Sequence, residues 1–338
     1  MQNPWSRRAV LCGLAAGGMM AGDAQAQAPA AAPARITRLD PAFDRLIDAD
    51  AAVQPLMDGL ALSEGPVWIG GADGYLLVSD VPGNVIHRWS AASGAREFLR
   101  PSGYAGPKSP ALYQAGSNGL IAARGGVVMA DSGNRGIARL DLRTRAKTML
   151  CSRFEGRRFN VPNDLVLARD GAIYFSDPTY GLNPGYRELD FTGVFRLAPN
   201  GAVTLVDREV GNPNGVGLSP DNRTLYVTEA GKGWLAYDLD ASGRATNKRL
   251  FIDTAATGVR GGDGFKIDAQ GNMWTSSNQG ISVFDPQGRQ IGIVKLGAAR
   301  HSNCELGADG HLYVAIGNAV MRLPVKARRL AYGPRRTA

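Results

Sequence analysis

The sequence predicts an all-β fold, and three observations carry that prediction. Glycine is abundant, with 44 among 338 residues, and turn dipeptides recur along the whole length. Helix-favouring runs are scarce. Pairs of short β-propensity runs, split by a turn, return six times. The clearest pair runs from Asn163-Asp164-Leu165-Val166-Leu167 through the turn Arg169-Asp170-Gly171 into Ala172-Ile173-Tyr174-Phe175.

Taken in order, residues 1–28 read as a twin-arginine signal peptide. Arg7-Arg8 precedes a mild apolar run from Ala9 to Ala21, and small-residue cleavage options follow at Ala24-Gln25-Ala26 and Ala26-Gln27-Ala28. Such a signal implies a bacterial periplasmic or secreted product. The apolar stretch is too short and glycine-rich for a membrane span, so no membrane association is expected after cleavage. Residues 29–60 form a Pro/Ala-rich linker and an N-terminal segment, with a helix expected over Pro41 to Asp48.

Six repeats fill 61–325, each opening with an inner strand that begins at Glu64, Asn118, Asn163, Asn214, Asp263 or Asn303. A second strand follows each, then a third, such as Val85-Ile86-His87-Arg88-Trp89 or Val194-Phe195-Arg196-Leu197. Five repeats add a fourth. The sixth lacks one, and Ile36-Thr37-Arg38-Leu39 is the candidate to supply it and close a ring. Four-stranded units at this spacing describe a six-bladed β-propeller rather than a two-sheet sandwich, which would not explain a sixfold register. Residues 326–338 form a basic C-terminal tail.

The net charge of +8 is scattered outside that tail, and no basic stripe with interleaved aromatics exists, so nucleic acid is not an expected partner. Cys151 and Cys304 remain after signal removal and read as separate buried thiols. No CxxC, HExxH or GxSxG motif is present, which disfavours zinc clusters and a serine nucleophile.

In a propeller, the first strand of each blade lines a central channel. The six opening residues are all oxygen donors, two of them carboxylates. One X-Gly step before a strand is ordinary turn chemistry, but six donors in register make a ring. A ring of carboxylates and amides without His or Cys suits a hard cation in the channel, Ca²⁺ first, with Mg²⁺ or Mn²⁺ open.

At these residues a family resemblance becomes specific. Ser63-Glu64-Gly65-Pro66-Val67-Trp68, the run Phe154 to Val166, Tyr174 to Leu182, Asn212 to Val227 and Gly261 to Trp274 resemble the gluconolactonase/senescence-marker-protein (regucalcin-like) family of six-bladed propellers. The resemblance covers the chain after about residue 55 and implies a divalent-metal-dependent hydrolase opening sugar or other lactones, with Ca²⁺ or Zn²⁺ in the channel. It implies Glu64, Asn214 and Asp263 as metal ligands, with Asn163 a direct ligand or a substrate contact. Asn118 and Asn303 sit at family-like positions, read as substrate-binding. Where animal members carry an Arg, this chain has Val161, so that contact is expected to be absent or to be supplied by Arg157 or Arg158.

The expected mechanism polarises a lactone carbonyl by the cation, with Asp263 as ligand and general base and His301 as proton shuttle. The loops from Tyr104 to Tyr113 and Asp177 to Asp190 are long enough to wall a pocket, placing Tyr180 against substrate. The partner expected is a small lactone or ester, met by a monomer or small homo-oligomer. Two alternatives stand beside this reading. One is a non-catalytic ligand- or protein-binding propeller. The other is a phosphotriester or fluorophosphate hydrolase on the same ring.

Overall fold

The computed structural model describes residues 34–331. The signal peptide and the end of the basic tail lie outside the described residues. Six antiparallel sheets follow one another in chain order, and each inner strand packs on the inner strand of the next blade. The inner strand of the sixth packs back on that of the first, so the ring is closed. The expected all-β, six-bladed architecture is what the chain adopts.

Blade one (Ser63–Ile69, Tyr75–Asp80, Val85–Ser90, Gly94–Leu99) shows how the sequence builds each unit. Leu76 and Val78 point to one neighbour, meeting Tyr313 and Val320 of blade six. Leu77, one residue out of phase, meets Val127, Met129 and Leu140 of blade two. This is the period-two alternation of a strand buried on both faces. Trp68 stacks on Tyr313 across the closing seam, with ring centroids 5.2 Å apart.

The closing strand corrects the sequence reading. Ile36 and its neighbours do not complete blade six. Arg35–Arg38 instead adds a fifth strand to blade five, with Ile36 opposite Val294 and Thr37 opposite Ile293. Blade six (His301–Leu306, His311–Ile316, Ala319–Pro324) takes its outer strand from Gln54–Met57, with Gln54 opposite Arg322. The physical reason lies between these strands. The expected helix forms as a short 3-10 turn, Pro41–Arg45, capped by the Asp40 side chain, which accepts the Ala42 N–H at 2.8 Å. It inserts Phe43 between blades five and six, beside Trp274 and Ile291. The ring lies so close to the backbone of Gly292 that a Cβ there would sit 2.4 Å from it. Phe43 thereby pins the preceding strand to blade five. Pro55 is tolerated in the closing strand because that strand is an edge.

Candidate metal and substrate site

The inner strands converge at one end of the channel, and the residue after the ring position reveals how tightly. Glu64, Asn118, Asn214 and Asp263 are each followed by glycine. A Cβ at Gly65 would lie 2.2 Å from the Asn118 carbonyl, and one at Gly119 2.8 Å from that of Asn163. At Gly215 it would lie 2.5 Å from the Asp263 carbonyl, and at Gly264 2.1 Å from the Asn303 amide. Each glycine makes room for the ring residue of the next blade. The X-Gly steps are therefore contact points between blades, with Gly65 alone of the four at positive φ (51°).

Hydrogen bonds stitch the same contacts. Gly119 N–H donates to the Asn163 carbonyl at 2.8 Å and Gly215 N–H to that of Asp263 at 3.0 Å. Second-strand hydroxyls reinforce them: Ser79 Oγ donates to the Asn118 carbonyl at 2.7 Å and Thr228 Oγ1 to the Asp263 carbonyl at 3.0 Å. The loop carrying Asn163 is clamped by Asp177, whose Oδ2 accepts the Asn160 N–H at 2.8 Å. These backbone anchors leave the ring side chains with little freedom.

Glu64, Asn118, Asn163, Asn214 and Asp263 open together into one cavity of about 250 Å³, walled also by Gln114, Tyr180 and Arg300. Glu64 and Asp263 are buried carboxylates, and burial pushes both upward, Asp263 to about 6 and Glu64 well above the usual carboxylate range. The charge of Asp263 adds to the shift of Glu64. The Arg300 guanidinium opposes it at Asp263, with Nη2 at 2.6 Å from Oδ2, though that side chain is 70% exposed. Two close carboxylates, two amides and no imidazole or thiolate make a donor set for a hard cation. Among the described residues no cluster of three or more His, Cys, Asp or Glu gathers, so the amide oxygens of Asn163 and Asn214 would have to complete the set.

A larger hollow of about 720 Å³ lies outside blade four, but its acids are already engaged. Glu229 pairs with Lys232 at 2.8 Å, and Asp253 caps a helical turn at Ala255. It offers no pair of neighbouring buried carboxylates like Glu64 and Asp263.

Three expected site residues are not at the cavity. His301 is buried, with Nε2 accepting the Leu296 N–H at 3.0 Å and Nδ1 lying 3.1 Å from the Ala299 carbonyl. Both ring nitrogens are used to fold that loop, and burial lowers the imidazole to about 4, which removes the basis for a proton shuttle. Arg158 donates through Nη2 to the Asn134 carbonyl at 3.0 Å, and Arg157 pairs with Asp190 at 3.3 Å. The guanidinium at the cavity belongs instead to Arg300, which no motif singled out. Asn303 holds its ring position but does not line the cavity, its Nδ2 donating to Glu64 Oε2 at 3.2 Å. Tyr180 is where expected, its hydroxyl 3.3 Å from the Asn212 carbonyl. The loops around it brace each other, with Asn183 N–H donating to the Ala111 carbonyl at 2.8 Å. Cys151 and Cys304 are both free thiols.

A family model described as the SMP-30/Gluconolactonase/LRE-like region matches residues 62–318. A gluconolactonase of Zymomonas mobilis subsp. mobilis is 35% identical over 311 residues, covering 86% of this chain and 86% of that protein. A solved gluconolactonase of Xanthomonas campestris superposes with a TM-score of 0.75 at 31% identity, covering 88% of this chain and 97% of that one. A regucalcin of Xenopus laevis is 26% identical over 268 residues, covering 76% of this chain and 83% of that protein.

Proposed function

Because the chain belongs to the SMP-30/gluconolactonase/LRE-like family, we propose that this lactone-hydrolysing enzyme opens a sugar lactone with a divalent cation held by Glu64, Asn163, Asn214 and Asp263. The observation that carries the reading is the convergence of two close, buried carboxylates and two amides on one cavity. Ca²⁺ suits this all-oxygen set before Mg²⁺, Mn²⁺ or Zn²⁺, and when bound it supplies a Lewis acid toward the lactone carbonyl.

The chain's own groups do the rest. Asp263 is the general base: burial raises its carboxyl in the cation-free protein, and a divalent cation beside it would favour the ionised form that accepts a proton. This carboxylate takes the proton of the water whose oxygen adds to the carbonyl carbon. It then returns that proton to the ring oxygen as the C–O bond breaks, leaving a hydroxy acid. Arg300 reaches Asp263 from the exposed rim, where its guanidinium can hold the product carboxylate. Asn118, Gln114 and Tyr180 wall the cavity and offer amide and phenol groups to sugar hydroxyls. The twin-arginine signal read in residues 1–28 supports a periplasmic or secreted enzyme.

The test is proton release from glucono-δ-lactone by purified protein, before and after EDTA, and after Ca²⁺, Mn²⁺ or Zn²⁺ is restored. Loss on chelation and recovery with one ion is the expected result. Full activity in EDTA would rule out the cation-dependent mechanism.

A further inference from the structure

Below the ring, the channel holds a second set of buried charges that the proposed chemistry does not use. Asp164, Lys266 and Glu305 are 2%, 8% and 3% exposed. They follow Asn163, Asp263 and Asn303 by one to three residues, Asp164 just before the inner strand of blade three and Lys266 and Glu305 on those of blades five and six. Arg329, from the segment after blade six, closes on Glu305 from the far side, Nε to Oε1 at 3.1 Å. Two carboxylates thus face two cations in the lower channel.

Asn303 links this level to the ring. Its Oδ1 accepts the Cys304 N–H at 2.8 Å and lies 3.4 Å from Lys266 Nζ. Its Nδ2 donates to Glu64 Oε2, which also accepts the Gly65 N–H at 3.0 Å. The reverse amide orientation would aim NH₂ at an ammonium and a backbone N–H, and an oxygen at a carboxylate. Gly264 seats the amide from below, with no room for even a Cβ. Glu64 Oε2 is therefore doubly engaged. Among the described residues Oε1 takes no hydrogen bond and is left for the cavity.

We propose that Lys266 and Asn303 form a bracket that positions Glu64 for cation binding. Lys266 fixes the Asn303 amide, and Asn303 fixes which Glu64 oxygen faces the ring. The inference rests on the cation-dependent reading above and makes both residues positioning groups, neither touching substrate. It has a counterintuitive consequence. By charge alone, a buried ammonium near the ring repels a divalent cation, so its removal should tighten binding. As part of a bracket, its removal loosens binding.

The experiment is calorimetric titration of Ca²⁺ and Mn²⁺ into the cation-free full chain, with no lactone present. Lys266→Met should weaken cation affinity by about 10- to 100-fold, the usual cost of losing a group that orients a ligand. Lys266→Arg should restore part of it. Lys295→Met, which removes an equal charge from the exposed end of blade five's fourth strand, should leave it unchanged. Unchanged or tighter binding in Lys266→Met overturns the bracket. Should that variant not fold, Lys266→Met with Asp164→Asn removes one charge of each sign, and is compared with Asp164→Asn alone by the same criterion. A wild type that binds cation but opens no lactone sinks the sugar-lactone reading and leaves the bracket standing. A wild type that opens lactones without binding a divalent cation does the reverse.

Discussion

The ring and the level next to it both bury acids and differ in how their charges are balanced. At the cavity end, Glu64 and Asp263 are buried close together, and their only ion-pair partner among the described residues is the exposed Arg300 on Asp263. One level down, Asp164 and Glu305 are as deeply buried, but Arg329 pairs with Glu305 and the charge of the buried Lys266 offsets both acids. Taking a charge out of water without a buried partner costs several kcal/mol, so the first arrangement, whose one ion pair is with an exposed guanidinium, is destabilising, and the second is partly offset from within. The contrast teaches that buried acids alone do not mark a site. What marks the ring is buried acids left short of charge.

Removing Asp263 gives the largest expected effect. Asp263→Ala should cut lactone turnover by about 10²- to 10⁴-fold, the usual range for a lost general base, and more if cation binding goes with it. Melted in EDTA, the same variant should be as stable as wild type or more so, because a destabilised carboxylate is gone. Glu305→Ala should show the opposite pattern. It leaves Arg329 and Lys266 short of a partner and should cost about 3 kcal/mol of unfolding free energy, read by urea denaturation in EDTA. If Asp263→Ala proves the less stable of the two, the contrast is wrong.

Smaller effects sharpen the same comparison. Gly264→Ala should cost about 1–3 kcal/mol through overpacking against Asn303, and should loosen cation binding as well. Cation affinity of the wild type should fall as pH drops through about 6, by about tenfold per pH unit for each carboxylate proton the cation must displace. The sign for stability is opposite. The folded pKa of Asp263 lies above its unfolded value, so the chelated protein holds this proton's stabilisation below about pH 4 and loses it as pH rises toward 6. Melting in EDTA at pH 5 and pH 7 should therefore show a decline that saturating Ca²⁺ reverses. His301→Gln should change turnover by less than about threefold, since an imidazole held in its own loop's hydrogen bonds lies outside general acid–base catalysis. A hundredfold loss would return His301 to the mechanism.

Much of this was legible in the residues, for identifiable reasons. The six recurring pairs of apolar runs split by turns marked the blades, because a strand such as Leu76-Leu77-Val78 buries both faces and so is apolar throughout. The opening donors gave the ring, because a propeller brings equivalent positions together. The closing strand was not legible, since Ile36-Thr37-Arg38 reads as better β sequence than Gln54-Pro55-Leu56-Met57. Only the Phe43 wedge decides between them. Arg300 was missed because an exposed arginine in a loop carries no periodic signal, and it reaches Asp263 only once blades five and six lie side by side. His301 misled for a related reason. Its position in sequence faces the ring, but the bend from Leu296 folds the imidazole into the loop's own hydrogen bonds.

The way the ring closes also governs the order in which the molecule can be made. Gln54 and Arg322 share a hydrogen bond of 2.9 Å across 268 residues of chain. On a ribosome, the strand Gln54–Met57 emerges among the first and waits, unpaired, until Ala319–Pro324 arrives almost at the end. Contacts of such sequence separation slow folding and keep the early strand's edge open to other chains meanwhile. A fragment begun at residue 61 would keep every ring donor yet leave blade six with a permanently bare edge. Soluble recombinant protein therefore needs the chain from Gln54 onward, and trimming into that strand should appear first as self-association rather than as lost chemistry.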